Sequence, residues 1–231
     1  MKKVNLHVHT SFSDGDENID AVVARMRENE VDFFAVTDHD TVDGLLHVLQ
    51  NNWPKNMISG VELSSYFEMN VNGKRELMAA HILGYDFDID KMREYTLKWK
   101  TNRRNGIPSP TPSESIVAIK ECGGFSIWAH PFRVLVCQEH ASYFVRFKRD
   151  SIRAFAKKLT EFGLSGLEAE YYDGFSDEQR KFLHQVVNEY GLLYSIGTDI
   201  HFRANRNNIL FVTLPIEKNC IIAKIIERNK E

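Results

Sequence analysis

The sequence predicts an α/β fold, a closed or nearly closed β/α barrel. Three observations carry this. β-rich runs alternate with amphipathic helical stretches along the whole chain, and such alternation builds parallel βαβ units. About seven such units fit into the 231 residues, close to the number that closes a barrel. No GxGxxG follows any strand, so the alternative, an open doubly wound sheet, lacks its dinucleotide-binding signal.

Each element has a local reason. KVNLHVH reads as a first strand. ENIDAVVARMRENEV places Ile19, Val22, Val23 and Met26 at helical spacing. FFAVTDHD is a strand, VDGLLHVLQNN a helix and MISGVELS a third strand. Residues 65–87 read as a hairpin, because Asn72-Gly73 supplies the pair of positive φ angles of a type I′ turn. DIDKMREYTLKWKTNRR is a helix, followed by the proline-rich loop IPSPTPSE. Ser113 is the expected N-cap of SIVAIKECGG, and Asp150 that of DSIRAFAKKLTEFG. FSIWAHP, GLEAEYY, YSIGTDIH and NILFVTL are strands; DEQRKFLHQVVNEYG and NCIIAKIIERN are helices. No repeat, low-complexity tract or linker interrupts the series, which makes 1–231 a single domain.

Composition narrows the class. Hydrophobic residues at 43% and charged residues at 26% are ordinary globular values. No apolar run approaches the ~20 residues that span a bilayer. Asn5, His7 and His9 interrupt any apolar leader, so a cytoplasmic protein without membrane association is expected. Cys122, Cys137 and Cys220 are odd in number and form no CxxC, which argues against a disulfide framework and a thiolate metal site. A net charge of −3 gives no bulk attraction to nucleic acid.

The histidines carry the chemical signal. Six of the nine, His7, His9, His39, His81, His130 and His201, fall at or just beyond the C-terminal end of a predicted strand. Glu62 and Asp199 also fall at strand ends, and Asp14 lies in the first βα loop. Strand C-termini converge on one mouth of a β/α barrel, where such barrels place their chemistry. Residues i and i+2 of a strand face the same way about 6.5 Å apart, so His7 with His9, and Asp199 with His201, can reach a shared metal. A multi-metal site follows. His47, His140 and His184 read as ordinary helix or loop residues, and Asp38 and Asp40 as supports that orient His39 or its neighbours.

HVHTSFSDG, TDHDT, GVELS, AHILGY, AHPFR and GTDIH, in that order from residue 7 to residue 201, resemble the PHP (polymerase and histidinol phosphatase) superfamily of metal-dependent phosphoesterases. The HTSFSDG form is more similar to the branch of nucleoside mono- and bisphosphate phosphatases and RNA 5′-exonucleases than to the histidinol phosphatases. The resemblance implies a distorted (β/α)7 TIM-like barrel with three divalent metal ions, manganese, zinc or iron. By motif, His7 and His9 would bind the first metal with Glu62 and Asp199. Glu62 would bridge to a second, completed by His81 and His130, and Asp14, His39 and His201 would hold the third. Glu62, His81, His130 and Asp199 would form the catalytic core. Imidazole and carboxylate without thiolate suit those ions. In that branch an insertion helps to cover the substrate; here the interval is reduced to a short segment near 100–112.

The expected reaction is hydrolysis of phosphate esters of nucleotides or short nucleic acids by a metal-bridging hydroxide. Arg133, directly after AHPF, and Arg103 and Arg104, before the proline-rich loop, are candidate phosphate contacts. The expected partner is a phosphorylated small molecule or a nucleic-acid end, and the reduced cover leaves room for an oligomer or a protein partner. Two rivals remain at this point: a small-metabolite phosphatase of the histidinol phosphate kind, and a metal-bound regulatory module with little catalysis.

Overall fold

The computed structural model describes residues 1–71, 73–138, 142–171, 174–203 and 209–230. Its strands are β1 (Lys2–Val8), β2 (Phe33–Val36), β3 (Met57–Val71), β4 (Lys74–Tyr85), β5 (Phe125–Trp128), β6 (Arg133–Cys137), β7 (Tyr143–Arg146), β8 (Gly166–Tyr171), β9 (Leu193–Gly197) and β10 (Val212–Leu214). Its helices are α1 (Ile19–Glu28), α2 (Asp43–Gln50), α3 (Ile89–Arg104), α4 (Pro112–Glu121), α5 (Arg149–Glu161), α6 (Asp177–Tyr190) and α7 (Ile221–Arg228).

The sheet runs in the order β10-β1-β2-β3-β4-β5-β8-β9 and curls into a nearly closed barrel. The seam lies between β1 and the end of β9. It closes by a parallel bridge of Val8 with Ile200 and by the buried side chain of Asn5. Asn5 Nδ2 donates to Thr198 Oγ1 (2.8 Å) and to Leu210 O (3.0 Å), while Asn5 Oδ1 accepts from the backbone N–H of His7 (3.1 Å) and of Thr198 (3.2 Å). Trp128, Tyr85, Tyr171 and Phe34 are among the largest side chains fully buried in the core. The Tyr85 hydroxyl donates to Leu6 O at 2.8 Å, which satisfies a polar group in the apolar interior.

The hairpin expected over residues 65–87 is present, and its return strand β4 helps to make the sheet mixed. β1 with β2, β2 with β3, β5 with β8 and β8 with β9 are parallel, but β4 runs antiparallel to both β3 and β5. The reason is the hairpin. β3 continues to Val71 and the chain folds straight back, with Gly73 at φ +85°. Asn72, on which the type I′ reading rests, lies outside the described residues. Glu62 and His81 therefore sit inside long strands, not at strand ends.

Two caps also differ. Thr111 caps α4: its hydroxyl accepts from the Glu114 N–H, the Glu114 carboxylate accepts from the Thr111 N–H, and Pro112 opens the helix while Ser113 lies within it. Helix α5 starts two residues earlier than expected, so its N-cap is Lys148 and Asp150 lies in the first turn. There the carboxylate still faces the positive end of the helix dipole.

Strands β6 and β7 were not expected. They form an antiparallel hairpin that pairs with β4 through Leu77–Ala79. Among the described residues no helix is long and apolar enough to cross a membrane. All three cysteines are free.

Candidate metal centre

The barrel brings the nine predicted ligands to one mouth. Glu62, on β3 and fully buried, is the hub. Its Oε2 lies 3.1 Å from both His7 Nε2 and His9 Nε2 and 3.4 Å from His39 Nδ1. Its Oε1 lies 2.9 Å from His81 Nδ1 and 3.1 Å from His130 Nε2. Asp199 Oδ1 approaches His9 Nε2 at 3.2 Å and His7 Nε2 at 3.5 Å. Asp14 stands on the other side of His9. Its Oδ2 lies 3.1 Å from His201 Nε2, and its Oδ1 is 3.7 Å from His9 Nδ1 and 3.8 Å from His39 Nε2.

Local backbone explains these positions. His7 and His9 leave β1 on one side, their rings 5.1 Å apart. The strand argument does not extend to Asp199 and His201, because β9 ends at Gly197 and Asp199 has φ +52°. The two meet through a tight turn in which His201 Nδ1 lies 2.8 Å from Asp199 O. Gly197 is required there: a Cβ would sit 2.4 Å from His7 Cβ and 2.2 Å from Glu168 Oε1. His81 reaches the mouth from the interior of β4, because the antiparallel register sets it opposite Ser64, two residues past Glu62.

The donor set fits metal ions. His9 Nδ1 and Nε2 and His39 Nδ1 are buried and have no hydrogen-bond partner. Such orphans are costly unless something else satisfies them. His9 Nε2 lies close to two carboxylate oxygens without hydrogen-bond alignment; donors gathered around a common point behave this way. Three sets of donor atoms converge closely enough to hold an ion: His7, His9, Glu62 and Asp199; His9, Asp14, His39 and His201; and His39, Glu62 and His81. His130 Nε2 lies 3.3 Å from His81 Nδ1 and reaches the same oxygen of Glu62.

Electrostatics reflects the crowding. Burial alone would lower the pKa of His9, but the facing carboxylates of Asp199 and Glu62 outweigh it and raise it to about 9. Burial opposes ionisation of Glu62 as well, yet His7, His81 and His39 hold its carboxyl well below the usual range. His39 goes the other way: desolvation and the imidazoles of His9 and His81 lower it to about 3.

Supporting residues complete the site. Glu168, buried on β8, was missed by sequence reasoning. Its Oε1 lies 2.9 Å from His7 Nδ1, and its Oε2 accepts from the His130 N–H at 2.8 Å. The only available signal was an acidic residue within the apolar run GLEAEY. Asp38 does not orient His39. It accepts from Thr10 N, Thr10 Oγ1 and Ser13 Oγ, each at 2.7 Å, and so fixes the loop that carries Asp14. Asp40 accepts from Ser64 N and pairs with Arg103 Nη2 at 3.4 Å.

Arg133 lines the metal pocket, together with Phe144 and Arg203, neither of which the sequence reading singled out. Arg133 Nη1 donates to Tyr171 Oη at 2.6 Å, and that hydroxyl donates to Asp199 Oδ2 at 3.0 Å. Arg203 Nη2 lies 3.1 Å from Asp14 Oδ2. The structure does not bring Arg103 or Arg104 to this pocket. Arg103 donates to Ser109 O at 2.8 Å, tying down the proline-rich loop, and Arg104 is exposed at the end of α3. His47 pairs with Asp20 at the surface and His184 with Glu170, away from the ligands. His140 lies outside the described residues.

A barrel mouth gathering six histidines and three carboxylates, with orphaned buried imidazoles, defines a metal-binding β/α barrel protein. The chain belongs to the PHP domain family, whose model matches residues 5–202. It is 35% identical over 107 residues to the 5′-3′ exoribonuclease Rnm of Escherichia coli K12, and 33% identical over 106 residues to the Rnm of Salmonella typhimurium. These stretches cover 44% and 43% of this chain but only 33% of each relative's length. Among solved structures, an amidohydrolase of Chromobacterium violaceum, holding sulfate and no metal, superposes with a TM-score of 0.73 at 17% identity. A protein of Bifidobacterium adolescentis, assigned to the metal-dependent phosphoesterases, superposes at 0.71 with 19% identity. Each comparison covers 97% of this chain and 96% of the other, and shows the shared fold.

Proposed function

We propose that this protein is a metal-dependent phosphoesterase that hydrolyses phosphate esters of nucleotides or of nucleic-acid ends. The observation that carries the reading is the cluster around Glu62, whose two oxygens face five imidazoles, with His9 and His39 otherwise unsatisfied. Membership of the PHP family and the local likeness to an exoribonuclease support the substrate class.

Three divalent ions, manganese, zinc or iron, are the proposed complement. When bound they supply water of lowered pKa and charge compensation for the phosphoryl oxygens. The chain's own residues do the rest. Glu62, His81, His130 and Asp199 form the reacting core, flanked by His7 and His9, with Asp14, His39 and His201 at the outer edge. Glu168 fixes the ring of His7 and the turn at His130. Arg133, held by Tyr171, is the guanidinium placed to bind a phosphate oxygen. The domain is read as 1–231, with the short segment at 100–112 in place of a substrate-covering insertion.

The test is product release from a panel in the presence of manganese: a nucleoside 5′-monophosphate, a 3′,5′-bisphosphate, a short 5′-phosphorylated RNA and DNA, and histidinol phosphate. Hydrolysis of a nucleotide or oligonucleotide is expected, with a loss of at least ~100-fold in Glu62→Ala and in His81→Ala. Hydrolysis that survives both substitutions would overturn the reading, and a preference for histidinol phosphate would reassign the substrate.

A further inference from the structure

Beside the metal pocket lies a second cavity of about 270 Å³. The metal pocket itself, at about 130 Å³, is the smaller of the two. Arg133 and Phe144 line both, so this stacked pair forms a shared wall. The guanidinium carbon of Arg133 lies 4.6 Å from the Phe144 ring centroid.

The lining of the second cavity is distinctive. Phe132 and Phe175, both buried, meet edge to face with centroids 5.3 Å apart. Phe175 in turn packs on Tyr171 (4.8 Å), and Tyr171 on His130 (5.8 Å), so the aromatic surface continues into the metal pocket. Arg146 adds a second cation, while the Gln179 amide oxygen is held by the Ser176 N–H at 3.0 Å in the cap of α6. No carboxylate is among the described residues that line it. Phe144, on a short hairpin next to the exposed Tyr143, leaves 50% of its surface exposed. A large apolar ring held open beside a charged pocket offers a stacking face.

These features match one class of ligand. Aromatic faces and guanidinium planes are what unstacked bases pack against. A purely apolar ligand would leave Arg146 and Arg133 poorly matched. The volume lies just under the ~300 Å³ where drug-sized pockets begin, which suits one nucleoside. We propose that this cavity is a nucleobase subsite, in which the base of a nucleotide seats against Phe144, Phe132 and Phe175 while Arg133 spans the gap to the phosphate at the metal cluster. The position of the phosphate rests on the phosphoesterase reading; the base site does not depend on hydrolysis.

The experiment is calorimetric binding of adenosine 5′-monophosphate and of ribose 5-phosphate, each as its uncleavable 5′-methylenephosphonate analogue, to the full chain with manganese present. The second ligand keeps the sugar and phosphonate and lacks the base. The intact protein is expected to favour adenosine 5′-monophosphate by about 5- to 100-fold, the range a single base stack provides. In Phe144→Ala that ratio falls to near one, and Phe144→Trp retains it. Exposure of the side chain makes the alanine variant safe for folding. Equal affinity for the two ligands, no binding of either, or an equal loss for both in Phe144→Ala would overturn the subsite. If the ratio follows Phe144 and yet no nucleotide is hydrolysed, the base site stands and the phosphoesterase reading falls.

Discussion

Glu168 shows how one buried side chain governs several others. It fixes the tautomer and tilt of His7 through Nδ1, so that Nε2 is presented to Glu62 and Asp199. It also accepts from the backbone of His130, a residue with φ +29° that needs such an anchor. Carboxylate partners of metal-ligating imidazoles commonly contribute 10- to 100-fold in metal affinity. Glu168→Gln keeps the shape and removes the charge, so manganese affinity measured by calorimetry is expected to fall by about that factor. Unchanged affinity would mean that Glu168 only packs. Tyr171 does for Asp199 what Glu168 does for His7: it engages Oδ2 and leaves Oδ1 to the histidines.

At the scale of elements, the barrel closes through a side chain at a place where no regular ladder forms. Asn5 lies in β1 and ties that strand to Thr198 after β9 and to Leu210. The same residue holds the His7 N–H, so closure and ligand placement are coupled. Asn5→Ala would strand buried donors and acceptors on both sides of the seam, each costing roughly 1–3 kcal/mol. An overall destabilisation of about 2–4 kcal/mol is expected in denaturant titration, with the metal-free protein the more sensitive. A loss below ~1 kcal/mol would show that the Val8–Ile200 bridge suffices. The β3–β4 hairpin is the second element that matters, since its antiparallel register alone sets His81 near Glu62. It also carries β6 and β7, and with them Phe144.

For the whole molecule, metal loading and protonation are linked. His9 is raised to about 9, so without metal this ring holds a proton at neutral pH that an incoming ion must displace, and His7 and His81 are shifted in the same direction. A histidine raised in the folded state stabilises the metal-free protein fully below its unfolded value of about 6.5. It loses that contribution as the pH climbs through the folded value. Over pH 6.5–9 the metal-free protein should therefore weaken while metal binding strengthens. The rise in Tm on adding manganese is expected to widen across that window, and titration in buffers of different ionisation enthalpy should register proton release. A gap that narrows with pH would contradict the assignment of that proton to His9.

Much of this molecule could be read from its residues, and the reason is local. His7 and His9 on one strand and the alternation of strand and helix express their geometry within a few positions, so the barrel class and the candidate ligands were legible, although GTDIH reads as strand and forms a turn. Composition likewise argued against a thiolate site. What only the tertiary structure decided depends on residues far apart in the chain. The reversal at Asn72-Gly73 was legible, but the length of the pairing, 57–71 with 74–85, which puts Glu62 and His81 inside long strands, was not. Arg103 looked like a phosphate contact until Asp40, 63 positions earlier, was seen to engage it. Glu168 and Phe144 carry no motif; one gains its role from His7 across 161 positions and the other from a hairpin folded beside the mouth. Short-range rules fix strand, helix and turn, whereas the partner of a buried carboxylate or an exposed ring is set by packing, which no local pattern encodes.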